Sequence, residues 1–264
     1  MILKRRSELE VMAEAGRINR EALEVVASLV APGVTTAELN EAAESAILSR
    51  GGKPSFKGYN GFPASICASP NQVVVHGFPD DRPLVEGDIL SIDIGTHYRG
   101  YHADMAVTYP VGNVSVEARR LLDVTQRSLT AGIEKAHAGA RLGDVSAAIQ
   151  DVVEAAGYWV VREFVGHGIG RDFHEGPELP NFGRAGTGPV LRPGLVLAIE
   201  PMVAQRRARV VIADDGWTAS TENGSLAAHF EHTVAITDDG PWVLTAGGGE
   251  GATSPAAEGG VHGA

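Results

Sequence analysis

Two aspartates lie in predicted strands whose other residues are mostly apolar. Asp93 ends the run Ile89-Leu90-Ser91-Ile92, and Asp104 lies in the strand that follows a predicted turn at Tyr98-Arg99-Gly100. In a hairpin closed at this turn, we expect Asp93 and Asp104 to lie directly opposite each other on one face. Cross-strand partners have Cβ atoms about 4.5–5.5 Å apart, and like charges repel at that distance. A divalent cation is the simplest compensation, and a surface hairpin with two solvated aspartates is the alternative.

Three further candidate ligands occur in the second half of the sequence. Glu200 ends the apolar segment Leu195–Ile199, Glu231 enters another apolar strand, and His167 lies between two glycines. Carboxylates and imidazoles are ligands that divalent transition metals accept. Four carboxylates carry a charge of −4, which two divalent cations balance and one leaves half-neutralised. Because buried carboxylates without compensation are very costly, the charges favour two cations over one.

An internal repeat indicates that these residues come from two similar halves of the chain. Three pairs of segments align in the same order: 33–51 with 139–157, 75–77 with 166–168, and 87–93 with 194–200. Self-similarity of this kind is typical of duplicated structural units. We therefore predict two α/β halves, each about one hundred residues long, with a site between them that takes ligands from both.

A centre of two cations predicts hydrolytic chemistry. Divalent cations about 3.5–4 Å apart lower the pKa of a bridging water and polarise a carbonyl oxygen. Two more histidines are candidates beside such a centre: His76 occupies the repeat position of His167, and His174 follows His167 by seven residues. Neutral imidazoles at these positions could hydrogen-bond the carbonyl or amide of a substrate.

Hydrophobic periodicity and capping signals predict the helices and strands that would position these residues. Capping boxes at Ser7 with Glu10 and at Thr35 with Glu38 predict the first two helices. The predicted helices cover residues 8–30, 35–51, 115–138 and 143–156. The predicted strands cover residues 64–67, 72–75, 89–96, 101–109, 158–165, 195–200, 209–213 and 229–237.

Composition excludes several classes of protein. The 264-residue chain has a net charge of −11, 44% hydrophobic residues and one cysteine. Its acidic balance argues against binding to nucleic acids or anionic membranes, and the single cysteine excludes an intrachain disulfide framework. Without an apolar run of about 20 residues or a signal peptide at its start, we expect a cytoplasmic protein. Residues 1–246 are predicted to form one catalytic domain, and the Gly-rich segment 247–264 a disordered tail.

The motifs closely resemble those of the type I methionine aminopeptidases. The matching segments lie within residues 1–246 and cover 58–63, 75–77, 91–95, the Asp104 strand, 166–170, 199–201 and 230–233. The resemblance implies the pita-bread fold, an α+β fold with two pseudo-symmetric halves around a central antiparallel sheet. It also implies that the enzyme uses a metal-activated water to remove the initiator methionine from nascent proteins whose second residue is small.

The resemblance also assigns roles to individual residues. It implies a metal centre of two divalent cations (Co, Mn, Fe or Zn) held by Asp93, Asp104, His167, Glu200 and Glu231, with Asp104 and Glu231 bridging. It implies catalytic roles for His76, His174 and Glu200, the last as a proton shuttle, and contact of both histidines with the substrate. The side chain of the substrate methionine would be surrounded by Tyr59, Phe62, Cys67, Phe173 and Trp217.

The sequence departs from the family pattern at the expected pocket. Many bacterial members have Tyr at the position of Phe62 and Cys at that of Phe56, which affects the shape of the pocket and not the chemistry. Ordinary core packing is the alternative role for Tyr59, Phe62 and Trp217, and Cys67 could instead be a small buried apolar side chain. The other histidines that show no partner pattern, His97, His102, His137 and His262, are interpreted as surface or structural residues.

Three alternatives are open at this point. A related pita-bread peptidase specific for proline usually carries a large extra N-terminal domain, whereas the first repeat helix here begins near Ser7. A type II methionine aminopeptidase has an insertion between the ligand histidine and the next glutamate, but His167 and Glu200 are only 33 positions apart. A non-catalytic binding protein with this fold would typically have lost metal ligands. We expect a monomer that acts on nascent N-termini, with contact to the ribosome as a further option.

Overall fold

The computed structural model describes residues 1–247. The helices in this range are α1 (Arg6–Leu29), α2 (Thr36–Ser49), α3 (Val116–Ile133) and α4 (Leu142–Ala155), with a short 3-10 helix at Tyr59–Gly61. The strands are β1 (Lys53–Pro54), β2 (Ile66–Pro70), β3 (Val73–Val75), β4 (Ile89–Tyr98), β5 (Tyr101–Pro110), β6 (Trp159–Val160), β7 (Gly166–Gly168), β8 (Glu175–Leu179), β9 (Val196–Ile199), β10 (Met202–Ala204), β11 (Val210–Ile212), β12 (Ala219–Thr221), β13 (Ala227–His229), β14 (Glu231–Thr237) and β15 (Gly240–Val243). Within residues 1–247, none of the helices combines the length of a membrane span with sufficient apolar character.

A central antiparallel sheet organises the molecule. Its strands are ordered β1-β4-β5-β14-β9-β7-β8, with β2 paired to β4 and β15 paired to β14. Two smaller three-stranded sheets, β13-β10-β6 and β11-β12-β3, complete the described strands. The predicted α+β class and the predicted antiparallel central sheet are confirmed.

Each half of the sheet is covered by its own pair of helices. In the first half, α1 and α2 bury Ile18 and Leu39 against Ile92 and Ile94 of β4. In the second half, α3 and α4 bury a similar apolar set against the strands of that half: Leu121, Ile149, Leu197, Ile199 and Val234. Because successive side chains of a strand point to opposite faces, the residues between these apolar ones face away from the helices. The helices therefore cover one face of the sheet and leave the other for a site.

The hairpin of β4 and β5 differs from the predicted register. Asp93 pairs with Ala106 and Asp104 pairs with Gly95, so the two aspartates are diagonal neighbours and do not lie directly opposite each other. The prediction placed the turn one residue too early. Arg99 and Gly100 form a two-residue turn with φ values of 47° and 84°, and such turns favour left-handed residues because their twist matches that of the strands. The shift of two residues keeps both carboxylates on the same face.

The start of α1 also differs from the prediction. The N-cap is Arg5, whose backbone N–H donates to Glu8 Oε2 at 2.8 Å, and Glu10 instead accepts a hydrogen bond from Arg6. The chain just before the helix is fixed by a hydrogen bond from the Lys4 backbone N–H to the Gly194 carbonyl at 2.7 Å. With the chain held at this point, α1 begins two residues earlier than a cap at Ser7 predicts.

Other element predictions hold with adjusted limits. The capping box of α2 is present, because Glu38 N–H donates to Thr35 Oγ1 at 3.2 Å and Thr35 N–H donates to Glu38 Oε2 at 2.8 Å. The third helix ends at Ile133, short of the predicted 138. The predicted strand 158–165 is reduced to β6, and the predicted strand 229–237 is divided into β13 and β14 at Phe230.

Candidate metal centre

Five neighbouring strands of the central sheet each contribute one of the predicted metal ligands. The strands are β4, β5, β14, β9 and β7, which are adjacent in that order. They carry, respectively, Asp93, Asp104, Glu231, Glu200 directly after the last residue of β9, and His167. The two halves of the chain thus meet at the place where the predicted ligands gather.

Strand register places these side chains on one face. Asp93 and Glu231 both pair with Ala106, and Asp104 lies two residues from Ala106 along β5. His167 pairs with Ala198, which lies two residues before Glu200. Since paired residues and residues two apart share a face, each half presents its candidates together. They face away from the helices, because the residues between them pack under α1 to α4.

The candidate ligand atoms lie close together. One atom each from Asp104, His167 and Glu231 lies within 4.8 Å of the other two. His167 Nε2 lies 3.6 Å from Glu200 Oε1. Asp104 and Glu231 are buried, with exposed fractions of 3% and 1%. This geometry could hold a divalent cation among the side chains.

The carboxylates lack protein partners for part of their charge. Asp93 Oδ1, Asp104 Oδ1 and Glu231 Oε1 are buried without a hydrogen-bond partner among residues 1–247. Burial raises the pKa of Asp93 to about 7, and repulsion from Glu200 acts in the same direction while His229 opposes it. The pKa values of Asp104 and Glu231 are held well above the usual range, mainly by burial and to a smaller extent by repulsion from neighbouring carboxylates. Divalent cations would provide the missing compensation, so the residues present fit the metals that the sequence implies.

The conformation of His167 prepares it to bind a metal. Its Nδ1 lies 2.8 Å from the Gly168 carbonyl oxygen, so Nδ1–H donates and the Nε2 lone pair faces Glu200. Burial lowers the pKa of His167 to about 3, which keeps the imidazole neutral. Its glycine neighbours are required by packing, because a Cβ on Gly166 would lie 2.4 Å from the Ala198 carbonyl oxygen.

The two predicted catalytic histidines lie near the centre. His174 Nδ1 is 2.7 Å from Tyr59 Oη, and the His174 ring centroid lies 4.2 Å from that of His167. His76 follows β3 with φ 62°, a conformation that is uncommon for a residue other than glycine. Its ring packs edge-on against Phe164 and Trp217, and burial lowers its pKa to about 4. Both histidines thus have positions from which they could contact a substrate.

The residues of the expected methionine pocket form one cluster. Tyr59, Phe62, Cys67, Phe173 and Trp217 belong to a single apolar group that also contains Phe56. The Phe62 and Trp217 rings are 5.2 Å apart, and the Tyr59 and Phe173 rings are 5.3 Å apart. Cys67 pairs with Asp93 across β2 and β4, so this cluster adjoins the carboxylates.

One histidine at the centre was not predicted from the sequence. His229 is 1% exposed, and its Nε2 lies 3.5 Å from Glu200 Oε2 and 3.9 Å from Glu231 Oε2. The available signal was its position two residues before Glu231, which puts both side chains on one face of an extended chain. Among the other histidines, His102 is hydrogen-bonded to Ser55 at 2.9 Å and His137 is exposed.

The ring centroids of His97 and His102 lie 4.6 Å apart, which fits the structural role predicted for both residues. His262 and the predicted tail beyond Gly247 lie outside the described residues.

Comparison with known proteins places this site in a family. Residues 10–238 match the model of metallopeptidase family M24. The methionine aminopeptidase of Clostridium perfringens is 53% identical over 245 residues, which covers 93% of this chain and 98% of that protein.

Solved structures show the same fold. That of the methionine aminopeptidase from Thermotoga maritima has a TM-score of 0.92 at 45% identity, covering 94% of this chain and 100% of that one. An Xaa-Pro dipeptidase from Bacillus anthracis has a TM-score of 0.74 at 25% identity, covering 93% of this chain and 62% of its own. With the family model matched over most of its length and a close relative covered almost completely, the chain belongs to metallopeptidase family M24, in its methionine aminopeptidase branch.

Proposed function

We propose that this protein removes the N-terminal methionine from peptides whose second residue is small, using two divalent cations. The observation that carries this proposal is the convergence of five candidate ligands from five neighbouring strands beside one apolar aromatic cluster. Asp93, Asp104, His167, Glu200 and Glu231 would hold the cations. Their charge matches two cations, and Co, Mn, Fe and Zn all accept this mixture of oxygen and imidazole ligands.

The cations and the protein have separate tasks in the hydrolysis. When bound, divalent cations lower the pKa of a water and polarise the substrate carbonyl. Glu200 lies beside the candidate ligands with one oxygen toward His167 and the other toward His229. From that position Glu200 could accept a proton from the attacking water and pass it to the leaving amine, as a general acid–base group does.

His76 and His174 would bind the peptide as its carbonyl becomes tetrahedral. Their lowered pKa values keep both imidazoles neutral at pH 7, so each can donate one hydrogen bond. The bond between His174 Nδ1 and the Tyr59 hydroxyl fixes the orientation of the ring. Hydrogen bonds aimed at the developing negative charge stabilise a transition state more than a bound substrate.

The aromatic cluster would select methionine. Phe62 and Phe173 are buried, whereas Tyr59 and Trp217 are half-buried at its edge. A flexible thioether packs well against aromatic rings and a neighbouring sulfur, and Cys67 supplies that sulfur. Charged side chains would lose their hydration in such a pocket without gaining a partner.

The physiological substrate would be the N-terminus of newly made proteins. This setting places the protein in the cytoplasm, where its single cysteine stays reduced. We further propose that the chain acts as a monomer, since the candidate ligands and the aromatic cluster all come from one chain.

Peptide hydrolysis tests the proposal. We expect release of methionine from Met-Ala-Ser, little turnover of Lys-Ala-Ser or Glu-Ala-Ser, and loss of activity in a chelator that Mn²⁺ or Co²⁺ restores. Asp93→Ala should remove nearly all turnover and lower the metal content, whereas His137→Gln, a change at an exposed histidine, should do neither. Equal kcat/KM on the three peptides would contradict an apolar pocket, and a folded Asp93→Ala protein with full activity would contradict the metal site.

The same assay distinguishes the proposed function from the two alternatives, a proline-specific peptidase and a non-catalytic binding protein. Preferential cleavage of a dipeptide that ends in proline, with no release of methionine from Met-Ala-Ser, would identify a proline-specific peptidase. Absence of hydrolysis from all of these peptides in the presence of Mn²⁺, Co²⁺, Fe²⁺ or Zn²⁺ would indicate a binding protein.

A further inference from the structure

His229 is a sixth side chain at the centre, and neither the sequence motifs nor the proposed function assigns it a role. It is the last residue of β13 and lies two residues before Glu231. Phe230, between them, packs into the core under α3 and α4. Because the chain alternates at each residue, His229 and Glu231 both face away from that core and toward the carboxylates.

The backbone of His229 is held firmly in this position. Its N–H donates to Thr108 Oγ1 at 2.8 Å, and the Thr108 hydroxyl donates to the His229 carbonyl oxygen at 2.8 Å. Ser91 Oγ lies 2.8 Å from Thr108 Oγ1 and can donate the next hydrogen bond of the chain. On the other side, His229 pairs with Met202 in the sheet of β10 and β13. A buried side chain with a fixed backbone has little freedom to point elsewhere.

The Nε2 atom of this histidine has no hydrogen-bond partner among residues 1–247, although the side chain is 1% exposed. A buried polar atom without a partner is unfavourable, and buried polar groups are nearly always paired. The nearest polar atoms are Glu200 Oε2 at 3.5 Å and Glu231 Oε2 at 3.9 Å. These separations are longer than a normal hydrogen bond.

The shorter of these separations is close to that of two ligand atoms that share a cation. For metal–ligand bonds of about 2.0–2.1 Å, neighbouring ligand atoms lie roughly 2.9–3.4 Å apart. The pair formed by His167 Nε2 and Glu200 Oε1 is 3.6 Å apart, almost the same as the 3.5 Å between His229 Nε2 and Glu200 Oε2. The Glu200 carboxylate therefore lies between two imidazoles, one facing each oxygen.

We propose that His229 Nε2 is a sixth protein ligand of the metal centre and binds the same cation as Glu200 and Glu231. One atom from each of these three residues lies within 4.8 Å of the other two, as in the group of Asp104, His167 and Glu231. Glu231 belongs to both groups, so each group contains one imidazole and shares one carboxylate. This inference rests on the metal centre proposed above.

A second imidazole ligand would affect which metals the centre prefers. A neutral imidazole adds a ligand without adding charge, so the balance of four carboxylates with two divalent cations is unchanged. Imidazole nitrogen suits Zn, Co, Fe and Ni, whereas Mg and Ca prefer oxygen. A second histidine ligand therefore makes the centre more selective for transition metals over Mg²⁺.

Proton NMR of the Co²⁺-loaded protein counts the histidine ligands directly. Each histidine that binds Co²⁺ through Nε2 shows one strongly shifted Nδ1–H signal, which disappears in D2O. Both His167 and His229 are buried, with exposed fractions of 7% and 1%, so exchange with water is slow enough for detection. We expect two such signals in the wild-type protein, and only the His167 signal would be seen if His229 is not a ligand.

Variants assign the signals and measure the effect on affinity. His229→Gln should remove one shifted signal, retain the other, and weaken the binding of at least one Co²⁺ ion in calorimetry by about 10–100-fold or more, since even changes behind the ligands cost that much. His137→Gln, the exposed control, should keep both signals and the wild-type affinity.

The outcomes separate this inference from the proposed function. A single exchangeable signal in wild-type protein that binds Co²⁺, or two signals that both persist in His229→Gln, would overturn the role of His229 and leave the metal centre intact. Failure of the wild-type protein to bind Co²⁺ at all would overturn the metal centre and the sixth ligand together. A single signal in the wild-type protein overturns the sixth ligand even if the variant does not fold.

Discussion

His174 differs from the other histidines of the site in being exposed while one nitrogen is already bonded. Its Nδ1 is engaged by Tyr59, and its ring lies against the His167 and Phe173 rings. Those contacts fix the plane of the ring without using Nε2. At the scale of single residues, therefore, the exposed His174 differs from the histidines that are buried among carboxylates, as a role in substrate contact would require.

Replacing His174 with alanine should lower kcat and leave the metal content unchanged. Loss of one hydrogen-bond donor to a developing oxyanion costs on the order of 10²–10³ in kcat. Steady-state kinetics on Met-Ala-Ser, with metal analysis of the purified protein, measures both. Tyr59→Phe should cause a smaller loss, because it frees the ring without removing it. A His174→Ala protein that has lost a metal ion would make His174 a ligand instead.

The carboxylates make the metal-free protein sensitive to alkaline pH. Their pKa values are raised in the folded state, to about 7 for Asp93 and well above the usual range for Asp104, Glu200 and Glu231. The folded state then binds more protons than the unfolded state, so the free energy of unfolding falls as pH rises. The buried histidines act in the opposite direction, but their lowered pKa values confine that effect to pH below about 6.5.

We therefore expect the Tm of chelator-treated protein to fall between about pH 6.5 and 8.5, and Mn²⁺ to remove most of that fall. Scanning calorimetry in EDTA and in Mn²⁺ measures the difference. A chelated protein whose Tm rises over this range would show that the carboxylates are already compensated by groups of the protein itself.

At the scale of elements, the site depends on how closely neighbouring strands pack. β7 lies between β9 and β8, and it approaches both closely through glycines. A Cβ on Gly168 would lie 2.6 Å from the Gly176 carbonyl oxygen, just as one on Gly166 would meet the Ala198 carbonyl. Backbone atoms cannot move aside as a flexible side chain does, so the position of His167 depends on these glycines.

Gly166→Ala should displace β7 from β9 and weaken metal binding through His167. Overpacking of this kind typically costs about 1–3 kcal/mol of stability. Urea unfolding and Co²⁺ calorimetry give the two quantities. Gly176→Ala is a matched control, because a Cβ there meets nothing within 4 Å. Equal stability and metal affinity in both variants would mean that β7 can move without affecting the centre.

The N-terminal segment and the second half of the molecule are joined by a buried ion pair. Lys4 Nζ lies 2.5 Å from Glu175 Oε2, and both side chains are almost completely buried. Glu175 Oε1 also accepts the Arg171 backbone N–H at 3.0 Å. Glu175 directly follows His174 in the chain. At the scale of the whole molecule, the segment before α1 thus supports the loop that carries a predicted catalytic histidine.

Lys4→Met should destabilise the protein by roughly 3–5 kcal/mol, because it leaves the Glu175 carboxylate buried without its partner. The double variant Lys4→Met with Glu175→Gln should recover much of that loss, since no charge is left buried. Urea unfolding of both single variants and the double variant provides the comparison. If the double variant is no more stable than Lys4→Met, the penalty does not come from an unpaired carboxylate.

The sequence by itself determined the ingredients of the site and their distribution over two halves. Carboxylates that end apolar strands, glycines beside His167 and the internal repeat are local signals, because strand alternation and backbone sterics act within a few residues. The same locality explains why α2 was predicted with its correct capping box at Thr35 and Glu38.

Tertiary structure alone decided the register of the hairpin, the start of α1 and the position of His229. A shift of one residue in the turn moves the pairing by two, and the conformations of Arg99 and Gly100 settle it. The N-cap at Arg5 lies next to a contact with Gly194, far away in the chain. The only local signal for His229 is its position two residues before Glu231, because its distance to Glu200 depends on the pairing of strands that local pattern does not encode.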